Sequence, residues 1–322
     1  MTMLIRVICG AALSAMLALA CAACMSTGAN GSPPRGPPGA RHPAVIAVGS
    51  FDFPESVLLA EIYAGALAAD GFPVRILPDL GSRELVDPAL MSGLIQLVPE
   101  YAGSALEFAS LGRRSATSSV AATNQALADS VARAGLVVGR PALAQDTNAI
   151  VVTAATAARY DLRSIADLAR VAPHLVFGGP PECPGRPYCL PGLERAYGVH
   201  FRAFIPLDAA GPLTLQALDA GNVSAALLFS TNPSIQSRHL VVLADDRGLQ
   251  PAENITPLIR RTVVARYGPG LVAVLNKVSA RLDTGSLRAM DALVQLHGQA
   301  PRRVAANWLR MQGLVPRERA VR

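Results

Sequence analysis

Between Ser92 and Ser104 the hydrophobic pattern of the chain changes period twice. Ser92-Gly93 closes a short helical stretch, and Ile95–Val98 is an uncharged run of strand length that Pro99 is expected to end. The polar cluster Glu100-Tyr101-Ala102-Gly103-Ser104 then falls at the carboxyl end of a strand and the amino end of a helix. In open α/β sheets this junction is where small ligands bind, because free helix N–H groups point into the crevice. With Leu85, Leu90 and Met91 assigned to one side of the preceding helix, Leu80–Phe108 reads as helix, strand, turn and new helix.

The rest of the chain alternates in the same way. Val45–Val48 is a short strand. A turn, Gly49-Ser50-Phe51-Asp52-Phe53-Pro54, follows, with Pro54 suited to the first position of a helix. Leu58, Leu59, Ile62, Tyr63, Ala66 and Leu67 form the stripe of that helix, and Asp70-Gly71 and the strand Val74–Leu77 complete a βαβ unit. Thr123–Ala134 is a helix. Gln145-Asp146-Thr147-Asn148 leads into a strand at Ala149–Thr153, and Ser164-Ile165-Ala166-Asp167 has the spacing of a helix cap. The helix opening at Asp208–Pro212, the strand Val223–Phe229 and the turn Ser230-Thr231-Asn232-Pro233 repeat the opening architecture and mark a second half of a site. Strands at Leu240–Leu243 and Ile255–Ile259 flank a return crossing. Leu271–Leu282, Ser286–His297 and Pro301–Met311 are helices that complete the first domain. Alternating strands and helices predict an α/β chain, and 322 residues are enough for two domains or one large one.

Arg6 is the only charge among the first 34 residues, and Val7–Ala20 is apolar but short for a membrane span, which suits a signal peptide. Residues 1–23 are expected to be the leader. Ala22-Ala23-Cys24 resembles a bacterial lipoprotein signal with Cys24 as the lipidated residue, Cys21 being the rival, and a cleaved leader without lipid exports the protein equally. Residues 24–43 are rich in Gly, Pro and Ser and read as a flexible tether, so membrane contact is expected through the anchor alone. The loop Pro180–Pro191 holds Cys183 and Cys189, whose C-x5-C spacing matches no common zinc pattern. In an exported chain they are expected to form a disulfide that fixes Arg186.

The net charge of +6 is scattered arginine with a single lysine, Lys277, and no basic stripe, which argues against nucleic-acid binding. The five histidines share no motif, and there is no G-x-S-x-G, phosphate loop or HExxH, so neither a catalytic residue nor a metal or cofactor is expected.

The run Gly81-Ser82…Pro88-Ala89-Leu90…Ser92-Gly93…Pro99-Glu100-Tyr101-Ala102-Gly103-Ser104-Ala105-Leu106 resembles the LGS…PAL.SG.IDLYPEYTGTAL signature of the osmoprotectant (glycine betaine, choline, proline betaine) substrate-binding proteins of ABC importers. Gly49-Ser50 with Glu55, and the segment through Leu193-Glu194-Arg195-Ala196-Tyr197-Gly198, carry the likeness further. The resemblance implies an α/β, two-lobed periplasmic-binding-protein-like fold of type II, each lobe a sheet flanked by helices, joined by a two-strand hinge. Residues 44–146 with 246–322 would form lobe I, and 147–245 lobe II. It further implies an extracytoplasmic, lipid-anchored, monomeric protein that captures a solute in the inter-lobe cleft and delivers it to ABC permease subunits.

A quaternary ammonium needs aromatic faces and a carboxylate needs guanidinium or N–H donors. The expected ligand-binding residues are therefore Ser50, Phe51, Ser82, Tyr101, Ser104, Asp146, Arg186, Phe229, Thr231 and Asn232. The sequence departs from the family pattern where Val98 replaces the first tyrosine of YPEY and where Phe229 and Asn232 replace a tyrosine and an aspartate. A thinner ring cage leaves a neutral polar or aromatic (phenolic) solute as the alternative. An enzyme on the same scaffold, using Arg186 with Glu100 or Glu182, and a sensor or adhesin domain with a degenerate cleft are the competing classes.

Overall fold

A computed structural model describes residues 45–315; the expected leader, Cys21, Cys24 and the tether lie outside the described residues. In chain order the first half runs β1 (Ile46–Gly49), α1 (Pro54–Ala69), β2 (Val74–Leu77), α2 (Arg83–Ser92), β3 (Leu97–Tyr101), α3 (Ala102–Ala109), α4 (Val120–Val131), β4 (Leu136–Val138) and β5 (Asn148–Val152). There follow α5 (Ala154–Tyr160), α6 (Ile165–Ala169), β6 (Val176–Gly179), α7 (Leu190–Tyr197), β7 (Ala203–Pro206), α8 (Pro212–Asp219), β8 (Ala225–Phe229), α9 (Ser234–Ser237) and β9 (Val241–Val242). The chain closes with β10 (Ile255–Arg260), α10 (Arg261–Tyr267), α11 (Pro269–Ser279), α12 (Thr284–Gln295) and α13 (Pro301–Met311).

Two five-stranded sheets result, in the orders β2-β1-β3-β10-β4 and β7-β6-β8-β5-β9. In each, four strands run the same way and one, β10 or β5, runs antiparallel to its two neighbours, laid down as the chain arrives from the other sheet. The two crossings lie side by side, since Gln145 and Asn254 form an antiparallel bridge between them. This is the two-lobed α/β architecture with a paired hinge that the family resemblance implies. In the second sheet, Ile150 and Val152 of β5 pack into one core and Ala149 and Val151 into another, so helices cover both faces.

Local sequence explains most boundaries. Gly93 ends α2 in the left-handed region at φ 88°, and Ser164 with Asp167 makes the expected capping box at α6. Three expectations are corrected. Pro99 does not end its strand: β3 continues to Tyr101, with Pro99 opposite Pro257 of β10. Ala102 N–H donates to Asn254 O, and counting back along the ladder puts the Pro99–Pro257 pair at a position that needs no N–H. In α2 the buried face is Val86 and Leu90, while Leu85 and Met91 point outward at 61% and 44% exposure. Finally, α1 is buried on almost all sides rather than along one stripe, because α11, α12 and α13 pack around it.

Trp308, the only tryptophan, lies buried on α13, the helix most closely packed on α1. Trp308→Ala is expected to cost about 3–5 kcal/mol of folding stability. Urea unfolding followed by circular dichroism measures it, and a change under about 1 kcal/mol would contradict this packing.

Candidate ligand-binding site

In both lobes the chain leaves its parallel strands into one shared cavity of about 350 Å³. Its wall includes Phe51 and Phe53 after β1, Ser82 and Arg83 after β2, and Tyr101 and Ser104 at the end of β3. From the other lobe come Pro180–Cys183 after β6, Leu207–Ala209 after β7 and Phe229 at the end of β8. The strands β1, β2, β3, β6, β7 and β8 therefore present their carboxyl ends to one space, where loops are free to carry polar groups.

Four rings meet there. Phe53 is central, with ring centroids 5.9 Å from Phe51, 5.9 Å from Tyr101 and 5.1 Å from Phe229. Tyr188 joins the wall from the loop closed by the Cys183–Cys189 disulfide, which the structure contains as expected. The Val98 and Phe229 replacements had suggested a depleted cage, but Phe53 supplies a ring at its centre. Phe53 was legible as an alternate aromatic in Phe51-Asp52-Phe53, yet nothing in the sequence says which way that turn folds.

The cations on this wall are Arg83 and Arg186, and each is paired. Arg83 binds Glu100 through two hydrogen bonds of 2.9 and 2.8 Å and stacks 5.1 Å above the Phe51 ring. Burial works against its charge, but Glu100 more than offsets this and raises its pKa. Arg186 reaches across the cleft to Glu84 of α2 at 2.8 Å and lies 5.7 Å from the Phe108 ring. The helix amino ends are also occupied. Glu253 accepts from Gly103 N–H at 2.9 Å, Ser104 N–H at 3.0 Å and Ser104 Oγ at 2.6 Å. Gly103 permits this approach: a Cβ there would sit 2.6 Å from Pro251 Cγ and 3.1 Å from Glu253 Cδ. Asp208 likewise accepts from Leu213 N–H and Thr214 N–H at α8.

Behind the rings lies a buried carboxylate network. Tyr101 Oη donates to Glu55 Oε1 at 2.7 Å, and Thr231 Oγ1 donates to Glu55 Oε2 at 2.5 Å. Asp146, on the first crossing, accepts from Ser230 Oγ and Thr231 N–H, both at 2.9 Å. Asp291 of α12 is fully buried, with its carboxyl set against those of Glu55 and Asp146 and beside Gln295. Burial, then the neighbouring Asp291, pushes the Glu55 carboxyl up, and burial, then Glu55, does the same to Asp146. Burial alone drives most of the rise of Asp291 and Glu253, each to about 7.

Of the ten residues expected at the site, Phe51, Ser82, Tyr101, Ser104, Asp146, Arg186 and Phe229 line the cavity. Ser50, Thr231 and Asn232 are off its wall. Ser50 Oγ donates to Phe51 O and accepts from Asp79 N–H, and Asn232 Nδ2 donates to Ala210 O, so both hold turns. Thr231 ties the lobes together through Glu55. Arg83, Asp208 and Glu253 also line the cavity, without a distinguishing sequence signal; Glu253 is brought in by the return crossing.

Two α/β lobes with adjacent crossings and a solute-sized cavity at their facing strand ends define a two-lobed binding protein of the type II periplasmic class. The chain belongs to the family described as the substrate binding domain of ABC-type glycine betaine transport system, whose family model matches residues 44–311. It is 29% identical over 280 residues to a glycine-betaine-binding protein of Pseudomonas aeruginosa, covering 84% of this chain and 88% of that one. It is 28% identical over 280 residues to the glycine betaine-binding protein YehZ of Escherichia coli, covering 83% and 90%. Among solved structures, a glycine betaine/carnitine/choline ABC transporter protein superposes with a TM-score of 0.66 at 21% identity, covering 84% of this chain and 99% of that one. The protein is thus a substrate-binding component of an osmoprotectant ABC importer, in a family of extracytoplasmic solute-binding proteins and not of enzymes. Among the described residues no helix is long and apolar enough to cross a membrane.

The raised carboxyls fix the sign of a pH effect. The folded protein holds the Asp291 and Glu253 protons up to about pH 7, whereas the unfolded chain releases them in the ordinary carboxylate range. Their contribution to stability is full below that range and is lost as pH rises to about 7. The melting temperature is therefore expected to fall between about pH 5 and about pH 8, with Asp291→Asn flattening part of the slope. A rise across that interval would contradict it.

Proposed function

We propose that the protein captures a quaternary-ammonium osmoprotectant, of the betaine or choline kind, in the cleft between its lobes, closes around it and delivers it to ABC permease subunits. The carrying observation is the convergence of Phe51, Phe53, Tyr101 and Phe229 on one cavity that also holds Asp146 and Glu253. Ring faces attract a cation that cannot donate hydrogen bonds. The named relatives, which are glycine betaine-binding proteins, support the same class. Closure would be a hinge motion about the paired crossings at Asp146–Thr147 and Gln250–Glu253. Residues 44–146 with the carboxyl-terminal part would move as lobe I against 147–245. Cys24 is the proposed lipid attachment that holds a monomer at the extracytoplasmic face of the membrane, with no further membrane contact.

Titration calorimetry with glycine betaine and with choline tests the reading. At least one is expected to bind and to be recovered unchanged; turnover would favour an enzyme, and no binding of either would overturn the proposal. Phe53→Ala should weaken binding by about 0.5–2 kcal/mol while leaving the fold intact. Unchanged affinity would remove the central ring from the site.

A further inference from the structure

The anion-binding capacity of this cleft is taken up by the chain's own carboxylates. The amino end of α3 points N–H groups toward the cavity, as its place after a parallel strand dictates, yet Glu253 fills it with three hydrogen bonds of 2.9, 3.0 and 2.6 Å. The amino end of α8 is filled in the same way by Asp208. Arg83 and Arg186, the wall's cations, are matched to Glu100 and Glu84, with Glu100 taking both arms of the Arg83 fork. The wall also carries Asp52, Glu107, Asp146 and Glu182, so acids outnumber bases on it.

Resting on the reading above, we propose that Glu253 is a selectivity residue of the cleft: by seating the chain's own carboxylate on the α3 amino end, it denies that place to a ligand carboxylate and turns the site toward cations that carry none. The geometry makes Glu253 the point of control. It is 3% exposed yet touches the cavity, and it arrives on the return crossing, so its seat is built by the hinge itself. Pro251 and Ala252 pack on Gly103 and leave the side chain little choice of position. A zwitterion entering with its ammonium against the rings would bring its carboxylate to a wall without a free donor of matching charge. It would have to displace an internal pair first. A choline-like cation meets no such penalty, because its hydroxyl needs only a neutral acceptor, and Ser82 Oγ, which lines the cavity and donates to Glu84, can accept from it.

Titration calorimetry of the purified protein and two variants at about pH 8, where Glu253 has lost its proton, decides this, with choline and glycine betaine as probes. The wild-type protein is expected to bind choline at least about tenfold more tightly than glycine betaine, the scale of one charge-assisted hydrogen bond. Glu253→Ala, which empties the seat, should shift that ratio toward glycine betaine by about tenfold or more. Glu253→Gln, which keeps the shape without the charge, should shift it less, and it carries the test if the alanine variant does not fold. Equal or tighter binding of glycine betaine by the wild type, or a ratio that neither variant moves, overturns the role of Glu253 while leaving the transport reading standing. Binding of neither probe removes both.

Discussion

Glu55 sits at the amino end of α1 with its two oxygens held by hydroxyls from opposite lobes, Tyr101 at 2.7 Å and Thr231 at 2.5 Å. A buried carboxyl is costly unless its hydrogen-bonding capacity is met, and here one group in each lobe meets half of it. Separating the lobes breaks one of the two bonds. Glu55 thus joins the two lobes from behind the cavity, as the Arg186–Glu84 pair does across the cleft, and the rings that face the cavity stand directly in front of it. Asp146 binds the same Thr231 through its backbone N–H, which links this contact to the first crossing.

The surroundings of this contact are acidic. Glu55, Asp146 and Asp291 are buried near one another, and burial raises the pKa of all three. Protons shared among such groups replace the counter-charges that arginines supply elsewhere in the cleft. The wall is therefore divided: near Arg83 and Arg186 charge is cancelled by pairing, and behind the rings it is cancelled by protonation. Between the two lies an aromatic surface formed by Phe51, Phe53, Tyr101 and Phe229, and the arginines beside it, Arg83 and Arg186, are both paired.

Much of this was readable from residues alone, and the failures have physical reasons. The alternation of strand and helix, the disulfide and the capping box at Ser164 follow from local pattern and from chemistry within a few residues. The end of β3 was misread because a proline's missing N–H matters only in a bonded ladder position, and the ladder partner, Pro257, lies far along the chain. The outward turn of Leu85 and Met91 escaped for a similar reason: a ten-residue helix offers several apolar faces, and its neighbours choose among them. Seven of the ten residues expected at the site reach the cavity because strand ends are legible. Thr231 and Asn232 share that address and point behind it, a matter of side-chain direction within one turn.

By itself the sequence determined the elements and their order, the family likeness, and the turns that carry polar and aromatic groups, because these depend on neighbours within a few residues. Only the tertiary structure decided that Phe53 would occupy the centre of the rings. It also decided that Glu253 would close the α3 amino end and that Glu55 would join the lobes. Each of these joins residues from segments remote in the chain, and the crossings, not local propensity, fix where those segments meet.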